Sequence, residues 1–130
     1  ISYIATKKWY TPHLIKKLIV GEQYKTIEID EVDYNISDKN INTAREGMRQ
    51  AVVRGSARSL FDILRPVAGK TGTAQFGSDG KYHAWFAGFA PFDNPELAIV
   101  VLIEGGGEGS FAAVPVAKEV LEWYFDDYKL

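Results

Sequence analysis

The chain contains no cysteine, which excludes disulfides and thiolate metal sites. Two lone histidines, His13 and His83, do not make a zinc site without such partners, so no metal and no cofactor are expected. Long apolar runs are missing as well. The longest, LAIVVLI at 97–103, is strand-sized and well short of the roughly 18 residues a membrane span needs. No signal peptide is visible at the start. Neither sign of charge dominates: 15 basic and 17 acidic residues leave −2. Nothing therefore draws the molecule as a whole to nucleic acid or anionic lipid, and nucleic acid is not an expected partner. Internal repeats and low-complexity linkers are absent too.

What is present fits one modest globular domain. The 130 residues are 46% hydrophobic and 25% charged, and a chain of this size buries roughly two-thirds of the surface it exposes when unfolded. Basic residues gather early (Lys7, Lys8, Lys16, Lys17). Acids follow at Glu28, Asp30, Glu31 and Asp33, and again at Asp126 and Asp127. These clusters are read as solvated faces, and the acids at 28–33 as one exposed edge rather than a glycosidase pair.

Hydrophobic periodicity divides the chain. Residues 13–20 and 24–32 read as two strands about a turn at Gly21, the second alternating through Ile27 and Ile29. From Ser37 the period becomes helical: Ile41, Ala44, Met48 and Val52 share a face, with Ser37 or Asn40 as N-cap and Gly55 as the stop. A short helical piece, SARSLFDIL, precedes Pro66, which disfavours helix at Arg65. Three strands follow, at 67–76, 82–91 and 97–103, with turns at 77–81 and 92–96. Connections this short imply antiparallel neighbours. The third strand is apolar at every position, so the sheet is expected to be covered on both faces. Trp85 and Phe86 alternate faces and read as core. In the last helix Ala113, Ala117, Val120, Leu121 and Tyr124 form the apolar stripe, with Pro115 placed in its first turn. The expected class is α+β, an antiparallel sheet packed between helices. Residues 1–36 form a peripheral strand pair, 37–64 a helical segment, 67–103 three antiparallel strands and 111–127 a C-terminal helix.

Chemistry concentrates at VAGKTGTAQF, 67–76. Gly69-Lys70-Thr71 matches the end of a phosphate loop, but Leu64 stands where its first glycine belongs, and a strand pattern follows instead of a helix. The glycine-rich segment 104–110 imitates a dinucleotide turn. Ser110 occupies the third glycine position, no second parallel strand follows, and Glu104 and Glu108 would repel a pyrophosphate. It reads as a flexible turn with a helix cap. Beside an ordinary strand whose lysine is simply solvated, a third reading is that 67–76 lines a cleft. Lys70 and Gly72 then point one way, and Thr71 and Thr73 the other. A side-chain-free Gly72 lets a ligand lie against the backbone. A cation flanked by hydroxyl donors suits a carboxylate-bearing, peptide-like ligand laid along the strand. His83 has no acid or nucleophile placed beside it and reads as a packing residue at a strand start rather than a base.

Lys70-Thr71-Gly72 is also the K-T-G signature of the penicillin-recognising serine enzymes, whose others are S-x-x-K and S-x-N. The segments HAWFAGFAP (83–91), NPELAIVVLIEGGGEGS (94–110) and AAVPVAKEVLEWYF (112–125) resemble the strands, glycine turn and C-terminal helix of class B penicillin-binding proteins. The elongation type, penicillin-binding protein 2, is the nearest resemblance. INTAREGMRQAVVRGSA (41–57) resembles the helix before K-T-G, with Gly55-Ser56-Ala57 standing where Gly-Thr-Ala is common, and TPHLIKKL (11–18) resembles the segment that enters this region. The match covers nearly the whole chain. The other two signatures depart from it. The only literal S-x-x-K is Ser78-Asp79-Gly80-Lys81, in an expected hairpin turn, whereas the family's nucleophile opens a helix with its lysine one turn on. S-x-N does not occur; SDKN at 37–40 has lysine where asparagine belongs.

The resemblance implies the C-terminal portion of a β-lactamase/transpeptidase-like domain whose nucleophile and second signature lie on an absent N-terminal part. The activity implied for the intact protein is a serine-type peptidoglycan D,D-transpeptidase of cell-wall synthesis and cell shape, acylated by stem peptides and β-lactams. By motif position Lys70 gives catalytic support, Thr71, Gly72 and Thr73 bind substrate, and the Thr73 backbone N–H forms half of an oxyanion hole. The resemblance also implies a membrane-anchored protein on the extracytoplasmic side of the bacterial inner membrane, with a glycan polymerase partner. The alternatives are a serine β-lactamase or D,D-carboxypeptidase of the same superfamily, or a non-catalytic peptide-binding module. This chain alone is expected to be inactive, and a cut through the domain is expected to leave an apolar patch or an unpaired strand edge.

Overall fold

The computed structural model describes residues 1–15, 17–27, 31–32 and 34–127. A short helix α1 (Ser2–Thr6), in the stretch 1–36 expected to hold only a strand pair, opens the chain and ends at Lys7 in the left-handed region, φ 61°. Strand β1 (Trp9–Tyr10) pairs with β4 (Glu31–Val32), and β2 (Lys17–Val20) with β3 (Gln23–Thr26), both antiparallel. Of the two strands expected at 13–20 and 24–32, residues 13–15 and Ile27 lie outside β2 and β3, and Glu31–Val32 pairs with β1 instead. A positive φ at Gly21 turns the hairpin where expected, but its flanking residues on both strands are exposed. Ile29 and the acids Glu28, Asp30 and Asp33 lie outside the described residues.

Helix α2 (Asp38–Arg54) is the helix expected from Ser37 onward. The Ser37 hydroxyl accepts from the Asn40 N–H, and Gly55 ends the helix. Ile41, Met48 and Val52 are buried, but Ala44 is exposed. The half-buried residue on that turn is Arg45, which donates to the carbonyls of Ile4, Ala5 and Phe92 and lies 4.9 Å from the Phe89 ring centroid. The expected helical piece after Gly55 is one 3₁₀ turn, Arg58–Leu60.

Strands β5 (Ala68–Phe76), β6 (Lys81–Ala90) and β7 (Leu97–Ile103) form one antiparallel sheet in the order β5-β6-β7. Helix α3 (Gly109–Glu122) packs on the sheet and continues as a π turn, Trp123–Asp127. Its buried residues are Ala113, Val114, Ala117 and Leu121, followed by Phe125. Val120 is 40% exposed and Tyr124 only half-buried, so the true stripe includes Val114 and Phe125 and omits Val120. Because the helix starts at Gly109, Pro115 lies in its second turn rather than its first. The bond it removes would go to the Phe111 carbonyl, and both side chains are on the exposed side.

Alternation sorts the sheet into two faces. Ala84, Phe86 and Ala90 of β6 join Ile99, Val101 and Ile103 of β7 against α3. Ala68 and Phe89 face the other way, onto Met48 and Ala5. That second cover stops short. Trp85 and Ala87 are half-buried, while Val100 (57%) and Leu102 (41%) are exposed. Among the described residues the second face is therefore covered only in part, short of the full cover expected for β7. β7 half-buries only alternate residues, although its sequence is apolar throughout.

Glycines allow the close contacts that set the sheet. Gly69 and Gly88 are cross-strand partners. A Cβ on either would meet the buried Phe86 ring, at 2.3 Å from Gly69 and 2.8 Å from Gly88. Phe86 lies across this side-chain-free slot, as aromatic rings do over paired strand glycines.

Candidate active site

Strand β5 carries the sequence-predicted residues and is an edge strand among the described residues. Arg49 of α2 donates to the Val67 carbonyl at 2.8 Å, tying the start of β5 to the helix. Lys70 lies three residues beyond Val67, exposed, on the same face as Gly72 and Trp85. Its Nζ donates to the Thr71 carbonyl at 2.5 Å, so the cation follows the strand edge. Thr71 points to the opposite face, and its Oγ1 lies 2.6 Å from Ser56 Oγ. Thr73, on the same side as Thr71, is exposed.

The backbone of this edge is also oriented. At Gly109, the first residue of α3, a Cβ would stand 2.2 Å from the Trp85 oxygen, 2.7 Å from the Gly72 oxygen and 3.1 Å from the Gly72 nitrogen. These three atoms converge because Gly72 and Trp85 face each other across the ladder, where paired residues exchange both bonds. Backbone groups alternate sides along a strand, so those of Thr71 and Thr73 turn away from β6. The Lys70 contact to the Thr71 carbonyl fits that direction. The Thr73 N–H accordingly points to the open edge, on the strand that also carries the Lys70 ammonium and the Thr71 and Thr73 hydroxyls. A carboxylate or developing oxyanion is the complement of such a set.

The remaining residues singled out from sequence play other parts. Ser78 to Lys81 lie exposed at the β5–β6 turn, where Ser78 Oγ donates to Asp79 Oδ1 at 3.0 Å. They form no helix and no nucleophile–lysine pair. The glycine run 105–107 is a turn, with positive φ at Gly105 and Gly107, whose N–H groups bond inward: Gly105 to His83 Nδ1 at 3.1 Å and Gly107 to the Tyr82 carbonyl at 3.0 Å. His83 stacks on Phe76 with centroids 3.9 Å apart and so packs at the strand start as expected. His13 is exposed and bonded to the Thr11 carbonyl. Among the described residues, no group of three or more potential ligands could hold a metal ion. Two small cavities, of about 170 and 250 Å³, sit around α1 and are not lined by β5 residues.

Sequence reasoning assigned no role to Ser56, Gly109 or Arg49. Gly55-Ser56-Ala57 stood out only as a block of resemblance, and nothing in its spacing announces a partner fifteen residues on.

A three-stranded antiparallel sheet backed by a C-terminal helix, with K-T-G on an edge strand, defines the transpeptidase-like α+β class. Comparisons with known proteins carry this further. The family model described as penicillin binding protein transpeptidase domain matches residues 3–122, and the chain belongs to that family. Peptidoglycan D,D-transpeptidase MrdA of Haemophilus influenzae is 35% identical over 136 residues, covering 89% of this chain and 21% of that protein. The solved structure of Pseudomonas aeruginosa PBP2 in complex with WCK 5153 superposes with a TM-score of 0.75 at 34% identity, covering 98% of this chain and 28% of the other. Penicillin-binding protein A of Mycobacterium tuberculosis, as its ceftriaxone acyl-enzyme, gives a TM-score of 0.83 at 26% identity, covering 96% and 30%. The likeness within the family is therefore to the PBP2 type, and the chain spans 21% of the length of its Haemophilus influenzae relative. Among the described residues no helix is long and apolar enough to cross a membrane.

Proposed function

We propose that this chain is the C-terminal portion of a peptidoglycan D,D-transpeptidase domain and supplies the K-T-G wall of its active site. The observation that supports this is that K-T-G lies on the β5 edge, with the Lys70 ammonium drawn to the Thr71 carbonyl, the Thr71 hydroxyl paired with Ser56 and Thr73 exposed. In the reaction, a serine outside these residues attacks the penultimate D-alanine carbonyl of a stem peptide. An ester bond forms, the peptide bond to the terminal D-alanine breaks, and D-alanine leaves. The amine of a neighbouring stem peptide then takes the acyl group. Thr71 and Thr73 hold the terminal carboxylate, Gly72 admits the backbone of the ligand, and the Thr73 N–H stabilises the tetrahedral oxyanion. Lys70 supplies positive charge. One oxyanion donor of this kind accounts for roughly 10²–10³ in rate. β-Lactams occupy the same edge with their own carboxylate.

The parts have distinct tasks on this account. Residues 1–36 are peripheral, 37–64 brace the start of β5, 67–103 present the ligand strand, and 111–127 back it. The intact protein acts at the extracytoplasmic face of the inner membrane beside a glycan polymerase. The expected partner of the open sheet face is the nucleophile-bearing part of the same domain.

Two measurements test this. No helical S-x-x-K is present, so incubation with a fluorescent penicillin followed by denaturing electrophoresis leaves the 130-residue chain unlabelled; a covalent band overturns the placement of the nucleophile elsewhere. N-acetyl-D-alanyl-D-alanine binds the chain weakly, and its C-terminal amide binds about tenfold more weakly still, because the charge-assisted bonds are lost. Equal binding of the two refutes carboxylate recognition at β5.

A further inference from the structure

We propose that Ser56 is a positioning residue for carboxylate recognition: its hydroxyl donates to Thr71 Oγ1 and so turns the Thr71 proton outward to the ligand. The inference rests on the function proposed above and adds a residue to it.

The geometry begins with how Ser56 is held. Helix α2 ends at Arg54, and at Gly55 a Cβ would stand 2.8 Å from the Ala51 Cα. Only glycine lets the chain fold back this closely over the last turn. On the other side, Ala57 is fully buried and its N–H bonds to the Ala51 carbonyl at 3.0 Å. Ser56 is pinned between these two points while its own side chain stays exposed. A single rotatable bond then places its hydroxyl. Thr71 comes from β5, and its β-branched side chain is stiff at χ1. The 2.6 Å separation of the two oxygens is hydrogen-bond distance for hydroxyls.

Counting protons gives the direction that an anion at Thr71 requires. Each hydroxyl has one donor proton and can accept twice. One proton is used between the two oxygens, leaving one for a ligand. A carboxylate only accepts. If Thr71 donates to Ser56, Thr71 has no proton left for an anion on the open edge. If Ser56 donates to Thr71, the Thr71 proton is free, and the chain Ser56 to Thr71 to carboxylate strengthens each bond in turn. An anionic ligand seated at Thr71 therefore selects the second arrangement. Without Ser56 the Thr71 hydroxyl rotates freely, and its orientation must be fixed at the moment of binding.

The bland alternative is that the pair merely ties the end of α2 to β5. The two accounts separate in one experiment: titration of the folded chain with N-acetyl-D-alanyl-D-alanine, followed by the amide signals of Thr71, Gly72 and Thr73, alongside thermal melts. Ser56→Ala is expected to weaken binding about three- to tenfold, the effect of one hydrogen bond, with Ser56→Thr restoring it. In a Thr71→Val background Ser56→Ala has no further effect. A lowered melting temperature with unchanged affinity in Ser56→Ala means a structural tie only and overturns the inference. Failure of the unsubstituted chain to bind the dipeptide overturns the functional proposal itself. Binding by the unsubstituted chain that Ser56→Ala leaves intact removes only the role of Ser56.

Discussion

Replacing Gly109 by alanine tests the seat of α3 on the sheet. The new Cβ would lie 2.2 Å from the Trp85 oxygen and 2.7 Å from the Gly72 oxygen. Both are backbone atoms of a paired ladder, so neither can rotate aside. Restoring ordinary contact requires α3 to lift by about 1 Å. A gap of that size forfeits roughly a quarter to a half of each dispersion contact along the buried stripe Ala113, Val114, Ala117 and Leu121. Overpacking of a close-packed interior costs about 1–3 kcal/mol. The helix-propensity gain from glycine to alanine offsets at most about 1 kcal/mol, and less at the first helical position. The net loss is about 2 kcal/mol. With an unfolding entropy of roughly 2.1 cal/mol/K per residue over 130 residues, that lowers Tm by about 7–8 °C. The lift also tilts the Gly72–Trp85 pair, so dipeptide binding weakens together with stability. Calorimetry or a urea melt measures the first effect and the titration the second. An unchanged Tm refutes the account of α3 packing and, with it, the derived orientation of the β5 edge.

Other outcomes follow from particular contacts. Arg45→Ala removes bonds to three carbonyls and the contact with Phe89, and should cost about 2–3 kcal/mol in chemical denaturation. Arg45→Lys should restore little, since a point charge cannot reach separate carbonyls as a planar fork does. Gly69→Ala should destabilise through the buried Phe86 ring at 2.3 Å, whereas Gly72→Ala, with Trp85 Cβ at 3.2 Å, should melt almost normally while losing dipeptide affinity. The apolar, uncovered face of β7 predicts self-association that rises with concentration in sedimentation, and Val100→Lys should reduce it without lowering Tm.

Much of this fold is legible in the sequence because local chemistry and tertiary structure agree. Ser37 caps α2 and Gly55 stops it, and turn residues divide β5 from β6 and β6 from β7. Misjudgements arise where the environment decides. Every residue of LAIVVLI is apolar, but whether a second layer covers Val100 and Leu102 depends on elements outside the strand itself. Ala44 has the spacing of a core residue, but its turn of α2 presents Arg45 to the carbonyls of α1 and the β6–β7 connection instead. Pro115 is expected in the first turn of α3 but lies in the second, where Phe111, whose carbonyl loses its bond, is on the exposed side. At the candidate site, K-T-G marks the strand, and alternation separates Lys70 from Thr71. The Ser56–Thr71 contact is invisible to any period, because it depends on where the end of α2 meets β5 in space.

The most direct test of the central claim is a residue-by-residue map of where an acyl-D-alanine carboxylate touches the folded chain, taken from amide shift changes on adding N-acetyl-D-alanyl-D-alanine. The account predicts the largest changes at Lys70, Thr71, Gly72 and Thr73, abolished by amidating the ligand's C-terminus. Changes centred on the cavities around α1, or equal changes with the amide, would contradict it.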